Sequence, residues 1–176
     1  HCDVRRLLGI KDHPGAFADL LTLPLSNLHR VPDAVSDAAA VFTEPLAAAL
    51  EILEQVHIMP EHWVLLVGAG RLGQLIARVL KLTGCSLQVV ARHPRQRLLL
   101  EGTGISWLDE GDVQERAFDL VVEASGSPSG FELARRALRP RGTLVLKSTF
   151  RGRVELDLSS LVVDEMLQGY VKANAD

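Results

Sequence analysis

Trp63-Val64-Leu65-Leu66-Val67-Gly68-Ala69-Gly70-Arg71-Leu72-Gly73 runs an apolar pentapeptide straight into a glycine turn, and its reading decides the fold. Five consecutive apolar residues suit a parallel strand covered on both faces. Beyond the turn, Leu72, Leu75, Ile76, Val79 and Leu80 fall along one helical face that ends near Thr83-Gly84. Strand, turn and helix in direct succession give the G-x-G-x-x-G pattern the context it needs. In that context Gly68 permits a tight turn, Gly70 lets backbone approach a pyrophosphate, and Gly73 lets the helix pack close to the strand. Arg71, Leu72 and Gly73 present backbone amides at the helix N-terminus, where an anion is welcome. The competing reading is a glycine turn that holds nothing.

The alternation continues downstream. A strand is predicted at Leu87 to Ala91, a basic helix from Pro94 to about Glu101, and a short strand at Ile105 to Trp107, which completes a βαβ unit. Asp119 to Glu123 reads as a further strand. It leads through the small-residue turn Ala124-Ser125-Gly126 to a helix ending before Pro140-Arg141-Gly142, and then to a strand at Thr143 to Lys147. The expected fold class is therefore α/β, a doubly wound parallel sheet of the Rossmann type. Ala124, Ser125 and Gly126 fall at the carboxyl edge of that sheet, either beside a nicotinamide ribose or as a plain connecting turn. Leu158 to Val163 is expected as a short helix and Met166 to Val171 as a last strand.

The end of the second strand bears on which dinucleotide the turn would hold. A carboxylate there bonds the ribose hydroxyls of NAD and repels the 2′-phosphate of NADP. This chain reads Val89-Val90-Ala91-Arg92-His93, with Arg92 about 20 residues past the glycine turn, where the acid is expected. A guanidinium can grip a phosphate through two parallel hydrogen bonds, so NADP is favoured over NAD. Arg95 and Arg97 either support Arg92 or form the solvated face of their helix.

Ahead of the glycine turn, Gly15 to Pro24 reads as a turn and a short strand ended by proline, and Val31-Pro32-Asp33 as an extended segment. Ser36 is placed to cap a short helix at Asp37 to Ala40. From Thr43 a longer helix is expected, capped by Thr43, with Pro45 in its first turn and Leu46, Leu50 and Leu53 on one face. Met59-Pro60 closes it. The boundary falls there, with residues 1–58 a preceding lobe and linking helix and residues 59–176 the nucleotide-binding domain.

At 176 residues, 47% hydrophobic and 23% charged, the chain has room for one full domain with a little to spare. A net charge of −3 offers no field for nucleic acid or an anionic membrane. The apolar runs are of strand length, far from the roughly 20 residues of a membrane span. Cys2 and Cys85 make no disulfide framework, in keeping with a cytoplasmic protein, and Cys85 reads as a core residue. His29, His57, His62 and His93 are scattered, without the spacing of a metal site.

Taken together, Gly15-Ala16-Phe17-Ala18, Leu23-Pro24, Asn27-Leu28, Val31-Pro32-Asp33, Glu44-Pro45-Leu46, the turn Gly68 to Gly73 and the stretch Val121 to Pro128 stand in a specific order and spacing. Over about residues 1–165 they resemble the zinc-containing medium-chain alcohol dehydrogenase family. The resemblance implies hydride transfer between NADP(H) or NAD(H) and a small-molecule alcohol or carbonyl substrate, with zinc in the full-length enzyme polarising the substrate oxygen. It also implies that residues 1–58 end a GroES-like catalytic domain, and that homodimers or tetramers form. With His1 rather than Met at its start, the chain reads as the cofactor-binding part of a longer enzyme.

Glu44 matches a family position that is a zinc ligand or lies near the metal in some members. A carboxylate oxygen suits zinc, while a glutamate there equally stabilises a helix N-terminus. Cys2 resembles the last of four cysteines of the family's structural zinc lobe. Two other readings stand beside this one. The first is a zinc-free NADPH quinone or enoyl reductase of the same superfamily, against which Glu44 speaks; the second is a non-catalytic dinucleotide-sensing domain. No catalytic residue is assigned.

Overall fold

In the computed structural model, which describes residues 6–149, β1 (Trp63–Val67) is the central strand of a five-stranded parallel sheet. The order is β3-β2-β1-β4-β5, with β2 (Ser86–Val90) and β3 (Ser106–Leu108) on one side and β4 (Phe118–Glu123) and β5 (Leu138–Leu146) on the other. The order reverses between β1 and β4, the switch point at which open sheets of this class hold ligands. Val67 is level with Val90 on one side and with Glu123 on the other. Three strands thus end together, and the turns that follow them meet.

The two faces of β1 explain its unbroken apolar run. Val64 and Leu66 pack with Ile52, Ile76, Leu80 and Leu100, from α2 (Thr43–Gln55), α3 (Arg71–Lys81) and α4 (Pro94–Glu101). Leu65 and Val67 pack with Leu133, Ala134 and Ala137 of α5 (Pro128–Ala137). With both faces covered, no position is left for a polar residue. Each buried side chain of this kind contributes roughly 1.5–3 kcal/mol over exposure, set against the entropy of ordering it.

Of the expected leucine row on α2, only Leu53 packs against the core. Ala49 and Ile52 are buried, whereas Leu46 and Leu50 are exposed. The small Ala49 lets α2 approach closely, so the steric fit decides the face and leucine spacing does not. Phe42 takes the N-cap position and Thr43 is the first helical residue. One compact unit ends at Val41 and the next begins at Phe42, so α2 belongs with the sheet although the expected boundary lies near residue 59.

In residues 6–41 the chain forms a bridge between Leu7 and Lys11, a 3-10 turn at Leu25–Asn27, and α1 (Asp37–Ala40) behind Ser36. The strand predicted ahead of Pro24 is absent among the described residues. Phe17 and Leu20 are exposed, and extended backbone forms no strand without a ladder partner. β5 also departs from expectation. It begins at Leu138 and runs through Pro140-Arg141-Gly142 as an irregularity against β4, with Arg141 at a φ of 62°. Pro140 is tolerated because β5 is an edge strand of the described sheet. Cys2 and the elements predicted at 158–163 and 166–171 lie outside the described residues. Among the described residues no helix is long and apolar enough to cross a membrane.

Candidate functional site

The turns after β1, β2 and β4 meet around a cavity of about 180 Å³ at the carboxyl edge of the sheet. Gly68, Ala69, Gly70, Arg92, Ala124 and Ser125 line it, all from segments singled out in the sequence. Gln96 and Glu110 join them from α4 and from the 3-10 turn Glu110–Asp112. Arg71, Leu72, Gly73 and Gly126 are not among the lining residues.

The three glycines of the first turn do different things. Gly68 has a φ of 107°, and a Cβ there would stand 2.7 Å from Ser125 Cα, so both its conformation and its neighbour demand glycine. A Cβ on Gly73 would stand 2.0 Å from the carbonyl oxygen of Gly68, so the start of α3 packs closely on the turn that follows β1. Gly70 is unlike either. Its φ of −69° suits any residue, and a Cβ there would meet no atom within 4 Å. The fold does not need a glycine at this position, whereas an approaching ligand would.

The helical ladder of α3 opens with the Gln74 amide donating to the Gly70 carbonyl at 2.9 Å. The amides of Arg71, Leu72 and Gly73 precede it and carry the positive end of the helix dipole. Gln74, a buried residue that the sequence reading passed over, braces the turn from behind. Its Nε2 donates to the Ala69 carbonyl at 3.3 Å and to the Gln96 carbonyl of α4 at 3.1 Å.

The turn after β4 is organised by Glu123, a fully buried carboxylate at the end of an otherwise apolar strand. Its Oε1 accepts from the Ser125 amide at 2.7 Å and from the Ser125 hydroxyl at 2.6 Å, while Oε2 accepts from the Ser148 hydroxyl. Ser148 Oγ in turn accepts the Gly126 amide at 2.9 Å. The carboxylate thereby holds Ser125 against Gly68. A sequence signal existed: an acid closing a strand of buried residues has to find internal donors.

On the β2 side the sequence-predicted arginines separate. Arg92 reaches the cavity, but its guanidinium already has partners: Nη2 lies 2.8 Å from Glu110 Oε2, Nε donates to the same oxygen at 3.1 Å, and Nη2 also donates to Ser129 Oγ at 3.3 Å. Arg97 turns elsewhere, pairing with Asp109, donating to the Ala91 carbonyl at 2.9 Å and lying 4.2 Å over the Trp107 ring. It ties α4 to the sheet. Arg95 is exposed on the helix.

Glu44 stands exposed in the first turn of α2. It lines a separate cavity of about 530 Å³ with Glu51, Leu72 and Lys147, and the buried Lys147 ammonium lies 3.4 Å from Glu51 Oε2. Among the described residues no three His, Cys, Asp or Glu stand together as a metal centre requires. A further cavity, of about 490 Å³, opens at the opposite, amino edge beside Trp63, Ser86 and a half-buried Cys85. Its size exceeds that of the first, but the glycine turn and the N-terminus of α3 stand at the carboxyl edge.

No family model matches the chain. It is 34% identical over 174 residues to glucose 1-dehydrogenase of Thermoproteus tenax, a match covering 91% of this chain and 49% of that protein. A Sinorhizobium meliloti protein described as a zinc-binding dehydrogenase, solved bound to NADP, superposes with a TM-score of 0.79 at 21% identity, covering 89% of this chain and 50% of its own. Acetophenone reductase of Geotrichum candidum, solved with NAD, gives 0.78 at 22% identity, covering 94% and 50%. The chain spans about half the length of the curated relatives it matches.

Proposed function

Because this chain belongs to the medium-chain alcohol dehydrogenase family, we propose that it supplies the cofactor-binding part of an oxidoreductase moving hydride between a nicotinamide dinucleotide and an alcohol or carbonyl substrate. The observation that carries this reading is the open space over Gly70. A pyrophosphate laid on that backbone meets the amides that open α3 and no side chain, and the two flanking turns bound the space on either side. The relatives' structures are described with NADP and with NAD, so a nicotinamide cofactor is the common element. For this chain Arg92 supports NADP(H) as the preferred form, since its guanidinium faces the cavity at the end of β2.

The described residues do not compose a zinc site. Glu44 serves a metal only together with ligands from outside them, and in their absence it is suited to stabilising the N-terminus of α2. The residues of this chain bind and orient. The turn fixes the pyrophosphate, and the Ala124-Ser125-Gly126 turn, held by Glu123, borders the path toward the nicotinamide ribose.

Titration calorimetry with NADPH and NADH on wild type and Gly70→Ala tests the reading. The Cβ enters open space, so the melting temperature should hold while both affinities fall by about tenfold or more, the loss of one hydrogen bond to a charged group. Binding of neither cofactor to the wild type, or equal binding by Gly70→Ala, would overturn it.

A further inference from the structure

Arg92 does not wait with empty hands for a phosphate. Glu110, on the 3-10 turn after β3, holds it through both Nη2 and Nε, and Glu110 itself lines the cavity beside the glycine turn. The carboxylate absent from the end of β2 is thus returned to the same place from the neighbouring strand. A 2′-phosphate arriving at Arg92 meets a like charge within hydrogen-bond distance of the guanidinium it needs. A 2′-hydroxyl meets an acceptor.

We propose that Glu110 is a specificity-determining residue, competing with the 2′-phosphate for Arg92 and so holding the preference for NADP(H) over NAD(H) to a small factor. This rests on reading the cavity as the dinucleotide site with Arg92 at the 2′ position. The pair has the character such a role requires. Arg92 and Glu110 keep 52% and 40% of their side-chain surface exposed, so the contact is weak enough for a ligand to exchange. Ser129 Oγ, 3.3 Å from Arg92 Nη2, keeps a partner for the guanidinium when the carboxylate moves away.

The test uses adenosine 2′,5′-bisphosphate and adenosine 5′-monophosphate as probes, titrated into the whole chain as wild type, Glu110→Gln, Glu110→Ala and Arg92→Gln. The readout is the ratio of the two affinities. Both Glu110 variants should raise the ratio in favour of the bisphosphate by about tenfold, the scale of one unit-charge repulsion at an exposed site. The gain should shrink as salt is raised, because the groups are exposed to screening. Arg92→Gln should lower the ratio. An unchanged ratio in both Glu110 variants, with a lowered one in Arg92→Gln, overturns the role of Glu110 and leaves Arg92 at the 2′ position. An unchanged ratio in Arg92→Gln overturns the placement of Arg92 and this proposal with it. Failure of the wild type to bind either probe overturns the dinucleotide reading and, with it, everything built on the cavity.

Discussion

Ser125, Glu123 and Gln74, behind the glycine turn, are held in or against the interior by hydrogen bonds to backbone and to one another, whereas Arg92 and Glu110, on the β2 side, pair in solvent. The difference matches what each side would do in the proposed dinucleotide site. A pyrophosphate is common to every dinucleotide of this kind, so its cradle gains from being fixed in advance. The 2′ substituent differs between cofactors, and discrimination there depends on charges that can change partners. In that site rigidity and selectivity would occupy adjacent turns and be sensitive to different substitutions.

The largest effect is expected where the rigid side is tightest. Gly73→Ala drives a Cβ to 2.0 Å from the Gly68 carbonyl, and neither group is a flexible side chain that can swing away. Urea unfolding should report a loss of about 3 kcal/mol, the upper range of overpacking costs, with nucleotide binding lost as the turn opens. Wild-type stability in this variant would mean that the cradle is softer than its spacing indicates.

Glu123→Gln comes next. The carboxylate only accepts, while an amide presents one oxygen and two donors. The Ser148 hydroxyl, whose oxygen already takes the Gly126 amide, would then face a donor and lose the acceptor for its own proton. A loss of about 2 kcal/mol is expected for one buried group left without its partner. NADH and NADPH binding should weaken together, because the variant disturbs the common cradle. A selective loss of NADPH would contradict the division between the two sides.

The sequence disclosed the rigid side more fully than the exchangeable one, and for a physical reason. Strand, glycine turn and helix are contiguous, so local pattern contains β1, the turn and α3, with β2 and α4 following in the same way. Glu110 is met only through register, since β3 must lie beside β2 before the turn after it can reach Arg92. Arg97 was legible as a cation but not as one already engaged by Asp109 and Trp107. In α2 the leucines marked an amphipathic helix but its buried face only in part: Leu53 packs against the core beside Ala49 and Ile52, whereas Leu46 and Leu50 stay exposed. What depends on neighbours in the chain could be read; what depends on neighbours in space could not.

The smallest effect is expected from a partly exposed charge pair that does not line the cavity, and it sharpens the comparison as a control. Arg135 donates to Glu132 on α5 through Nη2 at 2.8 Å and Nε at 3.2 Å, and this hydrogen bonding holds the Glu132 carboxyl below its ordinary value of 4.5. A carboxylate depressed in the folded state contributes stability above its unfolded pKa and loses it as pH falls through the folded value. With 42% of the Glu132 side chain exposed, solvent screens most of that contribution. Glu132→Gln should therefore lower the melting temperature by about 1 °C at pH 7, and the difference from wild type should fade as the pH is taken below 4.5 and through the depressed folded value. Nucleotide affinity should not change, although the substitution alters net charge by the same amount as Glu110→Gln. A shift in the affinity ratio from Glu132→Gln would mean that the protein's overall field, and not the carboxylate beside Arg92, governs discrimination at the 2′ position.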